Sequence, residues 1–215
     1  MAKSKKALSV SRKQKTIRMA QTAVLAAIII IMAFTPLGYL KIGTLSISFL
    51  SIPVALGAVL VGPGAGTFLG FVFGMTSFLQ CFGYDPFGTM LAGSSTLSAV
   101  KMFAVCALTR TLMGFLTAII FKGLSRVDKT SFFAHLVPCL CSALLNTLLF
   151  IGTLWLLFRN DPLLASGLGL EGTNLTLISI FTIVAGVNAL IEIPTAAVVG
   201  TAISIPVSKA LKKLG

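Results

Sequence analysis

Four stretches of the chain carry no Asp, Glu, Lys or Arg: residues 19–40, 42–84, 130–158 and 172–191. Crossing the hydrocarbon core of a bilayer takes roughly 20 apolar residues in a helix, and the second stretch has room for two such helices. Turn residues divide the pattern. Pro36 and Gly38 end the first apolar run, and Gly62-Pro63-Gly64-Ala65-Gly66 makes a tight turn within the second. The pattern predicts an all-α integral membrane protein of six transmembrane helices. They run over about Arg18–Pro36, Ile47–Val61 (a short one), Ala65–Cys81, Ser98–Phe121, Phe132–Phe158 and Leu175–Val207, the last bent near Pro194. Outer loops are expected over Gly38–Ser48, Phe82–Leu97 and Arg159–Asn174. The chain reads as one membrane domain, residues 19–208, between a basic N-terminal segment, 1–18, and a basic tail, 209–215.

Composition agrees: 56% of residues are apolar, 10% are charged and the mean hydropathy is +1.02. Soluble domains carry about 25% charged residues, so the apolar excess must face lipid. The net charge of +12 does not point to nucleic acid, because its placement has a better explanation. Seven basic residues precede the first helix (Lys3, Lys5, Lys6, Arg12, Lys13, Lys15 and Arg18). Lys122, Arg126 and Lys129 lie between helices 4 and 5, and Lys209, Lys212 and Lys213 end the chain. An even number of spans with both termini in the cytoplasm puts all three groups on the positive inner side. A basic tail also suits an anionic inner leaflet. The first apolar stretch, about 20 residues, is too long for a signal-peptide core and reads as an uncleaved span.

Small residues mark packing faces. Gly62, Gly66, Gly70 and Gly74 recur every four residues and make a smooth ridge on helix 3, while Ala23 and Ala27 do the same on helix 1. The glycine ridge reads as internal packing; the alanine pair serves either internal packing or a partner helix. The turn Gly62–Gly66 lacks the Gly-Lys-Ser/Thr ending of a phosphate loop. Cys81, Cys106, Cys139 and Cys141 have no metal or haem spacing and read as packing residues.

Ionisable residues within spans are costly, which makes Arg110 and Glu192 candidates for function. Arg110 lies about 18 Å and Glu192 about 25 Å below the outer ends of their helices. These depths favour a buried ion pair tying helix 4 to helix 6; the alternative is that Arg110 binds an anionic substrate. Asn146 and Asn188 lie roughly 18–20 Å deep, and Asn188 shares a helix face with Glu192. Asn146 is followed by Thr147. Such amides either bind a polar ligand or join helices. Gln80 and Tyr84, near the helix 3 exit, point to ligand contact, and Trp155 to ligand contact or an interface anchor. His135 needs no special role. No Ser–His–Asp set, metal-ligand cluster or intramembrane carboxylate pair is present in the sequence, which disfavours an enzyme; no cofactor or metal is expected. Without a Walker motif or inverted repeat, the energy for any transport comes from partner proteins.

These features in order carry a resemblance: Ala23-x-x-x-Ala27; Pro36-Leu37-Gly38; Ile52-Pro53-Val54; Gly57-Ala58; Gly62-Pro63-x-x-Gly66-x-x-x-Gly70; Gly74-x-x-Ser77-Phe78; Gln80-Cys81-Phe82-Gly83; Arg110-x-Leu112-Met113-Gly114; Leu145-Asn146-Thr147; and Val187-Asn188-Ala189-Leu190-Ile191-Glu192. From helix 1 to helix 6 the chain resembles the substrate-binding S component of an energy-coupling factor (ECF) vitamin transporter. It is most similar to the pantothenate type, chiefly at the helix 3 exit and at Leu145-Asn146-Thr147. The resemblance implies a multi-pass protein of a bacterial cell membrane. Its site opens outward among helices 4–6 under the loops after helices 1, 3 and 5. It also implies two kinds of partner, a transmembrane coupling protein and two cytoplasmic ATPases, and a subunit that topples to carry its ligand inward. The Ala23/Ala27 face then meets the coupling protein, and Lys41, Arg110 or a helix N-terminus takes the pantothenate carboxylate. Alternatives are another vitamin on the same scaffold (riboflavin, a thiamine precursor or folate) and, from a different class, a membrane enzyme or assembly factor.

The charge placement is open to a direct measurement. Reporters that work only in the cytoplasm should be active when fused to either end of the chain. A reporter active only outside should work when placed after Gly83. Activity in the reverse pattern rejects the orientation.

Overall fold

The computed structural model describes residues 2–42, 45–128, 130, 132–168, 176–182 and 186–214. Side chains are described for these except at 2–13, 40–42, 45–47, 167, 177, 186–188 and 212–214. The charge-free runs are helical, with α1 at Ala2–Ala33, α2 at Ser51–Leu60 and α3 at Pro63–Gln80. Further on are α4 (Pro86–Ala92), α5 (Thr96–Phe103), α6 (Thr109–Leu124), α7 (Phe132–Phe158), α8 (Pro162–Gly167), α9 (Leu177–Ile180) and α10 (Gly186–Leu214).

Among the described residues, four segments are long and apolar enough to cross a membrane: Gln14–Ala33, Thr96–Leu124, Phe132–Phe158 and Ala189–Leu211. This differs from the six spans expected. Helix α2 has 10 residues, about 15 Å, and cannot cross alone. Its environment explains why. Ser51 to Val59 are all buried, and α2 packs against α1, α3, α6, α7 and α10. A helix apolar all round is a core element enclosed by its neighbours. The lipid-facing task falls to the outer helices, which expose Val24, Ile31, Phe68, Val100, Leu156 and Val198 among other large apolar side chains.

Three loop expectations are corrected. The outer loop after α1 contains an antiparallel hairpin, β1 (Tyr39–Ile42) with β2 (Leu45–Ser48), in the register Tyr39↔Ser48. The segment expected to begin helix 2 is thus partly strand, and the fold is not purely α. The other outer loops hold α4 and α8. Each starts with proline, and Asp85 accepts from Gly88 N at 3.1 Å while Asp161 accepts from Leu163 N at 3.0 Å. The basic N-terminal segment is helical from Ala2, continuous with the first span.

Between α6 and α7, Asp128 accepts from Ala134 N at 2.7 Å and from Thr130 N and Oγ1 at 2.9 and 2.8 Å. These bonds, that from Ala134 foremost, hold its pKa below the usual carboxylate range and cap the start of α7.

The span containing α5 and α6 is interrupted by a π-helical turn, Ala104–Leu108. Its cause is local. Thr109 Oγ1 donates to Val105 O, Arg110 Nη1 to Cys106 O at 3.3 Å and Thr111 Oγ1 to Ala107 O at 2.6 Å. Three successive side chains thus take carbonyls one turn back, competing with the backbone donors.

Helices α3 and α6 meet backbone to backbone. A methyl group on Gly66 would lie 2.6 Å from Gly114 O, one on Gly74 2.6 Å from Ala107 Cα, and one on Gly70 would strike Arg110 O. Gly62, the fourth member of the expected ridge, has open space instead and begins α3 at a φ of 118°, a conformation that glycine alone adopts without strain. Gly70→Leu should therefore lower stability by at least about 1–3 kcal/mol, the range for an overpacked core. Gly64→Ala, with nothing within 4 Å, should be neutral or slightly stabilising. Thermal unfolding of both variants in detergent checks the contrast, and equal melting temperatures count against the close contact.

Candidate functional site

Arg110, just past the π turn, is only 6% exposed. Its guanidinium lies between two aromatic faces, Phe73 of α3 at 4.7 Å and Phe150 of α7 at 4.9 Å from the ring centroids. Gly70 and Gly74 bracket Phe73 and bring its helix close enough for this stacking. A desolvated cation over one ring gains about 2 kcal/mol, whereas burying the ion costs several. Two rings and one carbonyl bond leave much of a five-donor guanidinium unspent. Among the described residues, its buried Nε has no hydrogen-bond partner.

Tyr39 of β1 reaches inward to the same region. Its hydroxyl faces Ser77 of α3, feels the charge of Arg110 and makes no hydrogen bond of good geometry. Burial pushes its pKa up to about 12 against the pull of Arg110, so the phenol stays neutral and can donate. The loop after α1 therefore supplies a polar group above the guanidinium.

A second polar group lies where α2, α7 and α10 meet. Asn146 Nδ2 donates to Glu192 Oε1 at 3.2 Å, and Glu192 is 4% exposed. Ser51 approaches the same carboxylate, and Ser142 Oγ donates to Ser51 O at 3.2 Å. Asn146 Oδ1 has no hydrogen-bond partner among the described residues.

The expected ion pair is corrected by this arrangement. Among the described residues, the hydrogen-bond partner of Glu192 is Asn146, and Arg110 donates to its own helix at Cys106 O. The two charges attract only across a gap. The depth comparison placed both near mid-membrane but carried no information about azimuth. The π turn and the aromatic sandwich direct Arg110 toward α3 and α7, away from contact with α10.

The other candidates fall in different places. Gln80 Nε2 donates to Ala33 O and so ties the end of α3 to the end of α1. Tyr84 is 66% exposed, edge-on to Phe34 with centroids 6.0 Å apart. Thr147 is half-buried beside Asn146. Trp155 packs on the outer apolar cluster under the Arg159 guanidinium, 5.4 Å from its ring. Ala23 and Ala27 are exposed on α1. The side chains of Lys41, on β1, and Asn188, one turn before Glu192 on α10, lie outside the described residues. Sequence reading missed Tyr39, Ser51, Phe73 and Phe150. Tyr39, one of only two tyrosines and sited in a loop, could have been singled out; the phenylalanines look like ordinary span residues.

A double-mutant cycle tests the geometry. Asn146→Ala and Glu192→Ala should couple by about 1.5–3 kcal/mol in thermal stability, the range for a hydrogen bond to a charged group. Arg110→Ala with Glu192→Ala should couple less. The reverse order restores the ion pair.

A family model described as "ECF transporter, substrate-specific component" matches residues 17–204. A comparison with curated proteins finds none that matches.

Proposed function

Because the chain belongs to the family of ECF transporter substrate-specific components, we propose that it captures an anionic vitamin, pantothenate, from outside a bacterial cell membrane, with Arg110 receiving the carboxylate. One observation carries the ligand class: a buried guanidinium held between Phe73 and Phe150 with, among the described residues, Nε unpartnered and no carboxylate bonded to it. A carboxylate ligand completes its hydrogen bonds and neutralises it. The Tyr39 hydroxyl, with Asn146 and Thr147 deeper, suits the hydroxyl and amide groups of the vitamin. Gln80, Tyr84, Trp155, Lys41 and Asn188 stay as candidate contacts of the outer half.

The membrane arrangement in this reading is six traversing segments with α2 and α3 as the short ones, both termini cytoplasmic and the hairpin and α4 outside. The membership implies partnership with a coupling and ATPase module. The exposed Ala23/Ala27 face of α1 is the docking surface for the coupling protein, where small side chains let a partner helix approach closely and leave again.

Thermal unfolding in detergent with a panel of vitamins tests the substrate. Pantothenate at 100 times its dissociation constant should stabilise the protein by about 2.7 kcal/mol. Arg110→Gln should weaken it about 10- to 100-fold, the cost of one charge-assisted bond. A shift with riboflavin, a thiamine precursor or folate but none with pantothenate rejects the substrate. Ala23→Leu with Ala27→Leu should abolish ATP-driven uptake in vesicles holding the whole transporter while leaving vitamin binding intact. Uptake by the isolated chain on an ion gradient alone contradicts the need for partners.

A further inference from the structure

One lysine lies inside the same span as Arg110. Lys101 sits in the last turn of α5, before the π turn, and is half-buried. Its ammonium lies over the ring of Phe158, 5.5 Å from the centroid, and among the described residues no carboxylate joins it. Phe158 ends α7 and is fully buried. The span made of α5, the π turn and α6 runs antiparallel to α7. Lys101 meets Phe158, Arg110 meets Phe150 at 4.9 Å, and the Phe121 ring meets His135 at 5.4 Å. The two cations are thus two rungs of one ladder. The eight-residue step from Phe150 to Phe158 sets them about 12 Å apart. The span of Lys101 and Arg110 takes nine residues for the same rise, because the π turn inserts one. Phe150, Leu154 and Phe158 stand one above another on α7 and line one apolar cluster between the rungs.

We propose that Lys101 is an outer station for an anionic ligand, whose carboxylate docks there before passing about 12 Å inward to Arg110. The ligand class and the inward direction rest on the function proposed above. Lys101 stands on the α4 side of the molecule, which that orientation places outside. The two cations differ as a hand-over requires. A cation over a ring at a partly exposed position gains only about 0.5–1 kcal/mol, so Phe158 holds the ammonium loosely and an incoming carboxylate displaces it. The ammonium is a point charge on a flexible stem and swings with its ligand. The Arg110 guanidinium, braced by two rings, offers a fixed fork for two-point binding. Asp85 and Asp161, acids of the same end, accept backbone N–H groups at the starts of α4 and α8, where the helix ends offset their charge. Arg159, over Trp155 at 5.4 Å, is an exposed cation of that end outside the ladder.

Rapid filtration of labelled pantothenate on the full chain in detergent tests the station. Lys101→Gln and Lys101→Met, which keeps an apolar stem on the ring, should each slow association about three- to ten-fold. Dissociation should stay within about two-fold, the pattern of a charge met on the way in. Lys101→Arg should restore most of the rate, and Arg110→Gln should instead speed dissociation. Raising salt from about 0.05 to 0.5 M should slow the unaltered chain more than Lys101→Gln. Arg159→Gln should cost less in association than Lys101→Gln. Unchanged association in both Lys101 variants, an equal loss in Arg159→Gln, or an unaltered chain indifferent to salt overturns the station and leaves the substrate standing. A chain that binds folate in place of pantothenate, with the same dependence on Lys101, sinks the substrate and keeps the station. Binding of no carboxylate-bearing vitamin overturns both.

Discussion

Helix α3 touches the backbone of α6 at Gly66 and Gly70 and that of the π turn at Gly74, and the polar interior depends on that contact. With no side chains between them, the two helices bring Phe73 over Arg110 and place the Cys106–Ala107 backbone against Gly74. In lipid, such contact is favoured because apolar side chains gain little from leaving the hydrocarbon, whereas close van der Waals packing does add stability. A larger residue at any of the three positions separates the helices and opens the aromatic sandwich.

The second constraint is electrostatic. Arg110 and Glu192 are both buried, yet each is served by neutral partners: rings and a backbone carbonyl for one, an amide and a nearby serine for the other. A closed ion pair would satisfy both charges and leave nothing for a ligand. Keeping them apart costs stability and, in the function proposed above, reserves the guanidinium for an incoming anion. The π turn makes this separation possible, since Thr109, Arg110 and Thr111 all bond carbonyls one turn back and shift the register of the helix below.

Core position also explains the short α2. Enclosed by five other helices, its ten residues are shielded from lipid. Its Ser51 joins the Asn146–Glu192 group, so the helix that contributes least to crossing the bilayer contributes directly to the polar interior.

By itself the sequence determined the membrane class, the positions of the apolar helices, the breaks near Pro36 and Cys81 and the packing role of the glycine stripe. These follow from composition and from local periodicity, which a linear reading captures because lipid selects apolar runs and backbones accept each other only at small residues. Tertiary structure alone decided that α2 lies in the core, that a hairpin carries Tyr39 inward, that Gln80 is spent on Ala33 and that Arg110 meets Phe73 and Phe150 instead of Glu192. Depth along a helix can be counted from residue numbers. The direction a side chain points around the helix depends on crossing angles and on a π turn, and both arise from contacts between segments far apart in the chain.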